Sequence, residues 1–320
     1  MEKVQINLKK ATKSSLFAGV TIFIIIFVLN VILDQRFFSA DTIYGNLSVI
    51  TPIVVATIAQ SIVIISGSID LSIGANISLV NCILATAMGD TPESVVFALA
   101  VSLLAALAVS ALNGVLVAYL RLPAMVATFA VSMMLIGIAL LVLPVPGGYI
   151  PKWLPGIYSA SIGGVLPATV PILAGIGVLW WVISKTRFGK YIYAVGGNEN
   201  AAEASGINAK RIKFCAFLLS GFFIWIVGII VSGQTGAGDF RVGNTYQLST
   251  VAAAIMGGVA LAGGTGKMLG AALGACIMIL ITNIIYFAGI PSFYQDMIRG
   301  LIVIIALFIA AIPNLKKRTS

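Results

Sequence analysis

The feature that most restricts what this chain can become is the repetition of uncharged apolar runs of about 20 residues, the length an α-helix needs to cross a hydrocarbon layer. Such runs cover residues 14–33, 48–66, 71–88, 95–120, 124–143, 168–184, 214–232, 248–264 and 268–288, and a shorter one at 297–311 carries a single charge, Arg299. They predict an all-α integral membrane fold with about ten transmembrane helices, because lipid offers no hydrogen bonds and each backbone segment must satisfy its own. Composition agrees. The 320 residues are 60% hydrophobic and 9% charged, whereas an ordinary soluble domain is roughly 25% charged.

The charges say how the runs are threaded. A net charge of +9 in a soluble protein would suggest nucleic acid as a partner, but here the cations gather at the ends of apolar runs, which sets orientation in a bilayer instead. Lys3, Lys9, Lys10 and Lys13 precede the first run, and Asp34, Gln35 and Arg36 follow it where a cleaved leader would carry small residues. The run therefore reads as a retained helix entering from the cytosol. Threading onward puts Arg121, residues 185–213, Lys267 and the tail Lys316, Lys317 and Arg318 on the cytosolic side, so both termini are cytosolic. Lys152, Asp239 and Arg241 fall outside. Residues 144–167, rich in proline and glycine, read as an external loop with Trp153 and Tyr158 as interface anchors.

The chain reads as one domain, residues 1–320, with a first half at 1–165 and a second at 166–320. Ser68-Ile-Asp-Leu-Ser72 is similar to Thr245-Tyr-Gln-Leu-Ser249, and Asn113 and Pro123 have counterparts in Asn283 and Pro291. A shift of about five helices inverts the second half, so the expectation is two inverted five-helix repeats with a pathway between them.

Little here supports covalent chemistry. There is no histidine, and Cys82, Cys215 and Cys276 all lie in apolar runs without metal-ligand or disulfide spacing. Gly263-Gly-Thr-Gly-Lys267 imitates a phosphate-binding loop, but Leu261 stands where the first glycine belongs and Met268 where a Ser or Thr would hold magnesium. These glycines are better suited to a tight turn and close helix packing. Asp70 is the acid nearest a membrane interior. It reads as the N-cap of the third helix, with a functional charge as the alternative. Asn76, Asn81, Asn113 and Asn283 are amides inside apolar runs. Each can tie helices together, and as a set they offer a polar, uncharged path for a hydroxyl-rich solute, with Asp70, Asn76, Asn113 and Asn283 as its candidate lining.

The most hydrophilic internal stretch is residues 185–213. Lys185, Arg187, Lys190, Lys210, Arg211 and Lys213 crowd its ends, and Glu199 and Glu203 lie within. Asn200 followed by Glu203 predicts a capping box, Ala201, Ala202, Glu203 and Ala204 a short helix, and Gly206 its stop. Such a helix on the cytosolic face is either a connector or a surface for a partner.

Five motifs carry a family resemblance: Ser66-Gly-Ser-Ile-Asp-Leu-Ser-Ile-Gly74, Arg121-Leu-Pro-Ala-Met-Val-Ala-Thr128, Thr186-Arg-Phe-Gly-Lys-Tyr-Ile-Tyr-Ala-Val-Gly-Gly-Asn198, Ala201-Ala-Glu-Ala-Ser-Gly-Ile-Asn208 and Gly257-Gly-Val-Ala-Leu-Ala-Gly-Gly264. In order and over nearly the whole chain they resemble the permease subunits of ribose-type sugar ATP-binding-cassette importers. The resemblance implies a second permease subunit, two cytosolic ATP-hydrolysing subunits that hold the ATP and magnesium, and an extracytoplasmic solute-binding protein, all at a bacterial cytoplasmic membrane. No cofactor, metal or nucleic acid is expected on this chain. It also implies that Asn198, Asn200, Ala201, Ala202, Glu203, Ala204, Ser205 and Gly206 form the contact with the ATPase. Gln247, where the family usually has an acid, and Gly264-Thr-Gly-Lys267, where it has Gly-Arg-Gly-Ser, depart from the pattern and leave homodimer and heterodimer both open. An ion-coupled carrier is the alternative, since inverted repeats suit that class too.

Overall fold

The computed structural model describes residues 15–163 and 166–291, together with 294, 297, 298, 300 and 301. Most of the expected run at 297–311, the lysines before residue 14 and the basic tail at 316–318 lie outside the described residues. In chain order the elements are α1 (Ser15–Leu33), α2 (Ala40–Ile65), α3 (Ile73–Ala87), α4 (Pro92–Gly114) running into a π turn (Val115–Tyr119), α5 (Ala124–Val142) and α6 (Trp153–Ser159). A two-residue antiparallel pair, β1 (Ser161–Ile162) with β2 (Leu166–Pro167), follows. Then come α7 (Thr169–Lys185), α8 (Arg187–Gly197), α9 (Glu199–Ala204), α10 (Ala209–Thr235), α11 (Asn244–Met256) and α12 (Met268–Phe287).

Among the described residues, α2, α4 with its π turn, α5, α10 and α12 are long and apolar enough to cross a membrane, and α7 with α8 is so only as one span bent by 75°. The distribution of polarity is that of a protein in lipid. Large apolar side chains point outward, as with Leu141 at 83% exposure, Val126 and Leu104, while Gln60, Asn76, Ser110 and Asn113 are fully buried. The centre is α2 against α10. Helix α4 packs on α10, α12 packs on α2, α3 on α4 and α11 on α12.

Helix α2 starts earlier than the apolar run suggests, because Ser39 caps it by accepting a hydrogen bond from the Thr42 backbone N–H. Pro52 lies inside it. A proline has no N–H for the carbonyl four residues back, and that freed carbonyl, on Ser48, accepts the Tyr158 hydroxyl at 2.6 Å. This contact docks α6 on the bundle. The external loop of the sequence reading is therefore built of a helix and a small hairpin.

Two expected spans are corrected. Residues 71–88 give a helix of 15 residues and residues 248–264 one of 13, about 22 and 20 Å at 1.5 Å per residue, short of a hydrocarbon core about 30 Å thick. For the second the reason is backbone glycine. Gly258, Gly263, Gly264 and Gly266 all adopt positive φ, so the chain leaves the helix at Met256 and forms a loop through to Lys267. The N-terminal ends of these two short helices cross at Gly74 and Gly243. A Cβ on either would fall on the other's carbonyl oxygen, and the Gly243 N–H donates to the Ser78 hydroxyl at 2.9 Å.

A second crossing closes the other end of the bundle. Gly67 after α2, Gly196 and Gly197 at the end of α8, and Gly263 and Gly264 before α12 stack backbone on backbone, with the Gly264 N–H donating to the Ile65 carbonyl at 2.9 Å. The glycines of the imitation phosphate loop thus serve turn and packing. A Cβ on Gly196 would land on the Ile65 carbonyl and 2.7 Å from the Gly264 nitrogen.

Gly196→Ala is therefore expected to lower stability by at least about 3 kcal/mol, the upper part of the overpacking range, because backbone and not a flexible side chain stands in the way. Gly175→Ala in α7, where a Cβ meets nothing within 4 Å, should be neutral or stabilising by up to about 1 kcal/mol. Thermal unfolding of the detergent-solubilised protein reads both. Equal melting of the two variants would mean that the glycine stack does not hold the loops together.

Candidate functional site

The loop between α2 and α3 is where the sequence motifs converge. Helix α2 ends on Gly67 at φ +88°, with the Gly67 N–H donating to the Ile64 carbonyl at 2.9 Å and the Ser68 N–H to the Val63 carbonyl at 3.1 Å. This is the αL ending that glycine permits. Beyond it Ser68, Asp70 and Ser72 are buried, and Ile69 and Leu71 partly so. Asp70 Oδ1 accepts from the Ser72 backbone N–H at 2.8 Å and from the Ser72 hydroxyl at 2.7 Å. Asn113 Nδ2 on α4 donates to Ser72 Oγ at 2.7 Å and lies 3.4 Å from Asp70 Oδ1. From the other side the Thr128 hydroxyl on α5 accepts the Leu71 N–H at 2.9 Å. A loop with no regular structure is thereby fixed inside the bundle by two helices.

Asp70 is not the N-cap that its position before α3 suggests. Ser72 occupies the cap position, and its hydroxyl turns back to the carboxylate and caps nothing. Asp70 bonds the N–H two residues on, which closes a local turn before the helix starts. The carboxylate's Oδ2 and the Asn113 Oδ1 are buried without a hydrogen-bond partner.

Of the four candidate path residues, the structure brings Asp70 and Asn113 together. Asn76 lies a turn further along the same seam, donating to the Ala106 carbonyl at 3.3 Å. Asn283 is elsewhere, on α12, and bonds Asn46 Oδ1 on α2 at 2.9 Å. Asn81 ties α3 to α10 through the Ser232 hydroxyl and to the 236–243 segment through the Ala237 carbonyl and the Asp239 N–H. The amides thus act as ties between elements and form no single row.

The hydrophilic stretch is more structured than its composition suggests. Thr186 caps α8, accepting from the Gly189 N–H at 3.2 Å, and Phe188, Ile192 and Val195 recur along α8 on its inner side. That spacing was the available signal for a helix that the expectation of a single short one passed over. For α9 the cap is corrected: Asn198, not Asn200, accepts the Ala201 N–H at 3.0 Å. Both asparagines can cap, but Glu199 in the first turn of the earlier register faces the positive helix end and pairs with Lys213. Glu203 then falls in the second turn and makes no capping box. Gly206 at φ +81° ends the helix as expected, and Asn208 caps α10 at 3.0 Å from the Arg211 nitrogen.

Helix α9 rests on the bundle through one buried residue, beside the Glu199–Lys213 ion pair. Ala202 is buried with Val195 and Ala209, whereas Asn198, Asn200, Ala201, Glu203, Ala204, Ser205 and Gly206 are exposed. A rigid, small-residue face is presented outward. Beside it a cavity of about 360 Å³ separates α9 from Gly67, Ser68 and Arg121, so the exposed helix and the buried Asp70 loop are neighbours.

Comparison with known proteins places this geometry. Residues 42–307 match the family described as branched-chain amino acid transport system / permease component. The chain is 30% identical over 288 residues to the ribose import permease protein of Escherichia coli strain K12, covering 87% of this chain and 88% of that one. It is 32% identical over 292 residues to the ribose import permease protein of Haemophilus influenzae, covering 89% of each. It is 29% identical over 295 residues to the autoinducer 2 import system permease protein of Escherichia coli, covering 89% of this chain and 83% of that one. No solved structure matches the chain.

The role of Asp70 can be separated into acceptor and charge. Asp70→Asn keeps Oδ1 as acceptor for both Ser72 bonds and should cost less than about 1 kcal/mol, whereas Asp70→Ala orphans two buried donors and should cost about 2–4 kcal/mol. Thermal unfolding in detergent distinguishes them. An Asn variant as unstable as the Ala variant would show that the charge, and not the turn, is what the loop requires.

Proposed function

The chain belongs to the branched-chain amino acid transport system / permease component family, and on that premise we propose that it passes a monosaccharide or similar small neutral polar solute across a bacterial cytoplasmic membrane. It works as the permease subunit of an ATP-driven importer. A second permease subunit completes the pathway, two ATP-binding-cassette subunits on the cytosolic side bind and hydrolyse ATP with magnesium, and an extracytoplasmic protein delivers the solute. The names of the relatives, ribose and autoinducer 2 import permeases, support the solute class.

The observation that carries this reading is α9. It is a capped helix held to its own chain by the buried Ala202 and the Glu199–Lys213 ion pair, and it turns Asn200, Ala201, Glu203, Ala204, Ser205 and Gly206 outward, the shape of a contact for another protein. Residues 198–206 are in this reading the seat of the ATPase, and the Asp70 loop behind them is where its movement enters the bundle.

In this reading the chain forms two inverted five-helix halves with both termini cytosolic, α3 and α11 being short helices that cross only part of the layer. Helix α4 lies on α10 as α12 lies on α2, and α3 on α4 as α11 on α12, which is what exchange of the halves about an axis through the Gly74 and Gly243 crossing requires. The proposed path follows that crossing. Asp70, Asn76 and Asn113 lie on the first-half side and Gln247 packs 3.3 Å from where a Gly74 Cβ would stand, while Asn283, tied to Asn46 away from this seam, is the second-half candidate.

Two measurements test the reading. Gly206 holds φ +81° with nothing within 4 Å of a Cβ, so Gly206→Val strains the end of α9 and adds bulk only toward a partner. The expected result is normal abundance with lost co-purification of the ATPase subunit and lost ATP-driven uptake. Retention of both would reduce residues 198–206 to a connector. Separately, single cysteines at Ser159 and Asn200, in a chain lacking the three native ones, should react with an impermeant thiol reagent from opposite sides of the membrane. Labelling from one side overturns the threading.

A further inference from the structure

The link between the π turn and α5 has a backbone feature that the function so far does not use. Arg121 sits at φ +55° and is the sole non-glycine residue with positive φ among those described. The geometry comes from how α4 ends. Its last turn is wide, with the Leu120 N–H donating to the Val115 carbonyl at 3.0 Å and the Leu122 N–H reaching back to the Leu116 carbonyl at 3.0 Å. The residue between must turn left-handed, a place glycine takes without strain. An arginine there is strained and exposed, and such strain is worth asking about when its side chain lies beside a candidate site.

Arg121 lines the cavity of about 360 Å³ with Ser68, Glu199, Asn200, Glu203 and Lys213. Within that cavity Glu199 is occupied by Lys213, which removes one anion and one cation from the account. The charges that remain are Arg121 and Glu203, both exposed and not ion-paired with each other, so Arg121 keeps no carboxylate partner among the described residues. Its walls include α9 on one side and the Gly67–Ser68 turn on the other, two residues before Asp70.

We propose that this cavity is a second docking point for the ATP-hydrolysing subunit, which inserts an acidic side chain to meet the Arg121 guanidinium. The inference rests on the reading of α9 as that subunit's seat. A guanidinium takes a carboxylate through two parallel hydrogen bonds, which a lysine cannot reproduce. The contact makes the partner grip α9 and the α4–α5 link together. It thereby acts on both walls of the cavity, and the Ser68 wall leads straight to the buried loop.

The test uses the full-length permease co-expressed with its own ATPase subunit and purified in detergent over a series of NaCl concentrations. The variants are Arg121→Gly, Arg121→Lys and Arg121→Glu. Arg121→Gly suits the left-handed backbone, so it should melt at or above the wild-type temperature while retaining at least tenfold less ATPase at low salt and losing much of the salt dependence. Arg121→Lys should fall between, and Arg121→Glu should retain least. Wild-type association of Arg121→Gly at every salt concentration would overturn the inference and leave the arginine as a charge at the end of α4. If Gly206→Val loses the ATPase while Arg121→Gly keeps it, the docking of α9 stands and this second point fails. If Arg121→Gly keeps the ATPase but loses binding to phosphatidylglycerol vesicles relative to wild type, the arginine serves lipid and the inference is likewise overturned.

Discussion

Contact of backbone with backbone, without side chains between, is the constraint on which the rest of this structure depends. It occurs at two depths. Gly74 meets Gly243 where the short helices α3 and α11 begin, and Gly67, Gly196, Gly197, Gly263 and Gly264 stack where α2, α8 and the loop before α12 end. In lipid no hydrophobic drive brings helices together, so close approach of small residues, with the dispersion and hydrogen bonds it permits, takes over that task. The second stack joins three segments far apart in sequence, and one of them is the start of the stretch that carries α9. The exposed helix therefore has a fixed position relative to the membrane bundle.

From that fixed position a short physical route runs inward. Ala202 seats α9 on α10. The glycine stack holds the end of α8 against the end of α2, and the turn at Gly67 leads within a few residues to Asp70. There Ser72, Asn113 and Thr128 bind the loop to α3, α4 and α5. Beyond the small apolar seat of Ala202, each joint is a hydrogen bond or a backbone contact. A displacement applied at one end is thus passed through elements that have few alternative arrangements.

How much of this was legible in the sequence follows from what each feature is made of. The long helices were, because an uncharged run of sufficient length has few other outcomes in a membrane. The two short ones were not. Hydropathy treats glycine as acceptable in an apolar run, so residues 257–264 look continuous with α11, and only the set of positive φ angles breaks them off. The stop of α9 at Gly206 was readable, but its start was displaced by two residues, since Asn198 and Asn200 are equally able caps and the choice is made by the pairing of Glu199 with Lys213. Asp70 was singled out correctly as an unusual acid and assigned the wrong bond, because whether a carboxylate caps a helix or closes the turn before it depends on where that helix begins. Arg121 is legible in the sequence only as a cytosolic charge and the start of a motif, and nothing there signals its backbone. Its left-handed backbone arises from the wide last turn of α4, which composition does not announce.

The proline inside α2 has an effect on how the outer face can change over time. By removing one N–H, Pro52 leaves the Ser48 carbonyl open, and Tyr158 fills it. The acceptor belongs to the main chain, so the fastening is indifferent to which side chain occupies position 48. It depends on an imino acid four residues further on and on one phenol. The segment that carries α6 can therefore vary widely in its exposed residues while keeping its seat on the bundle.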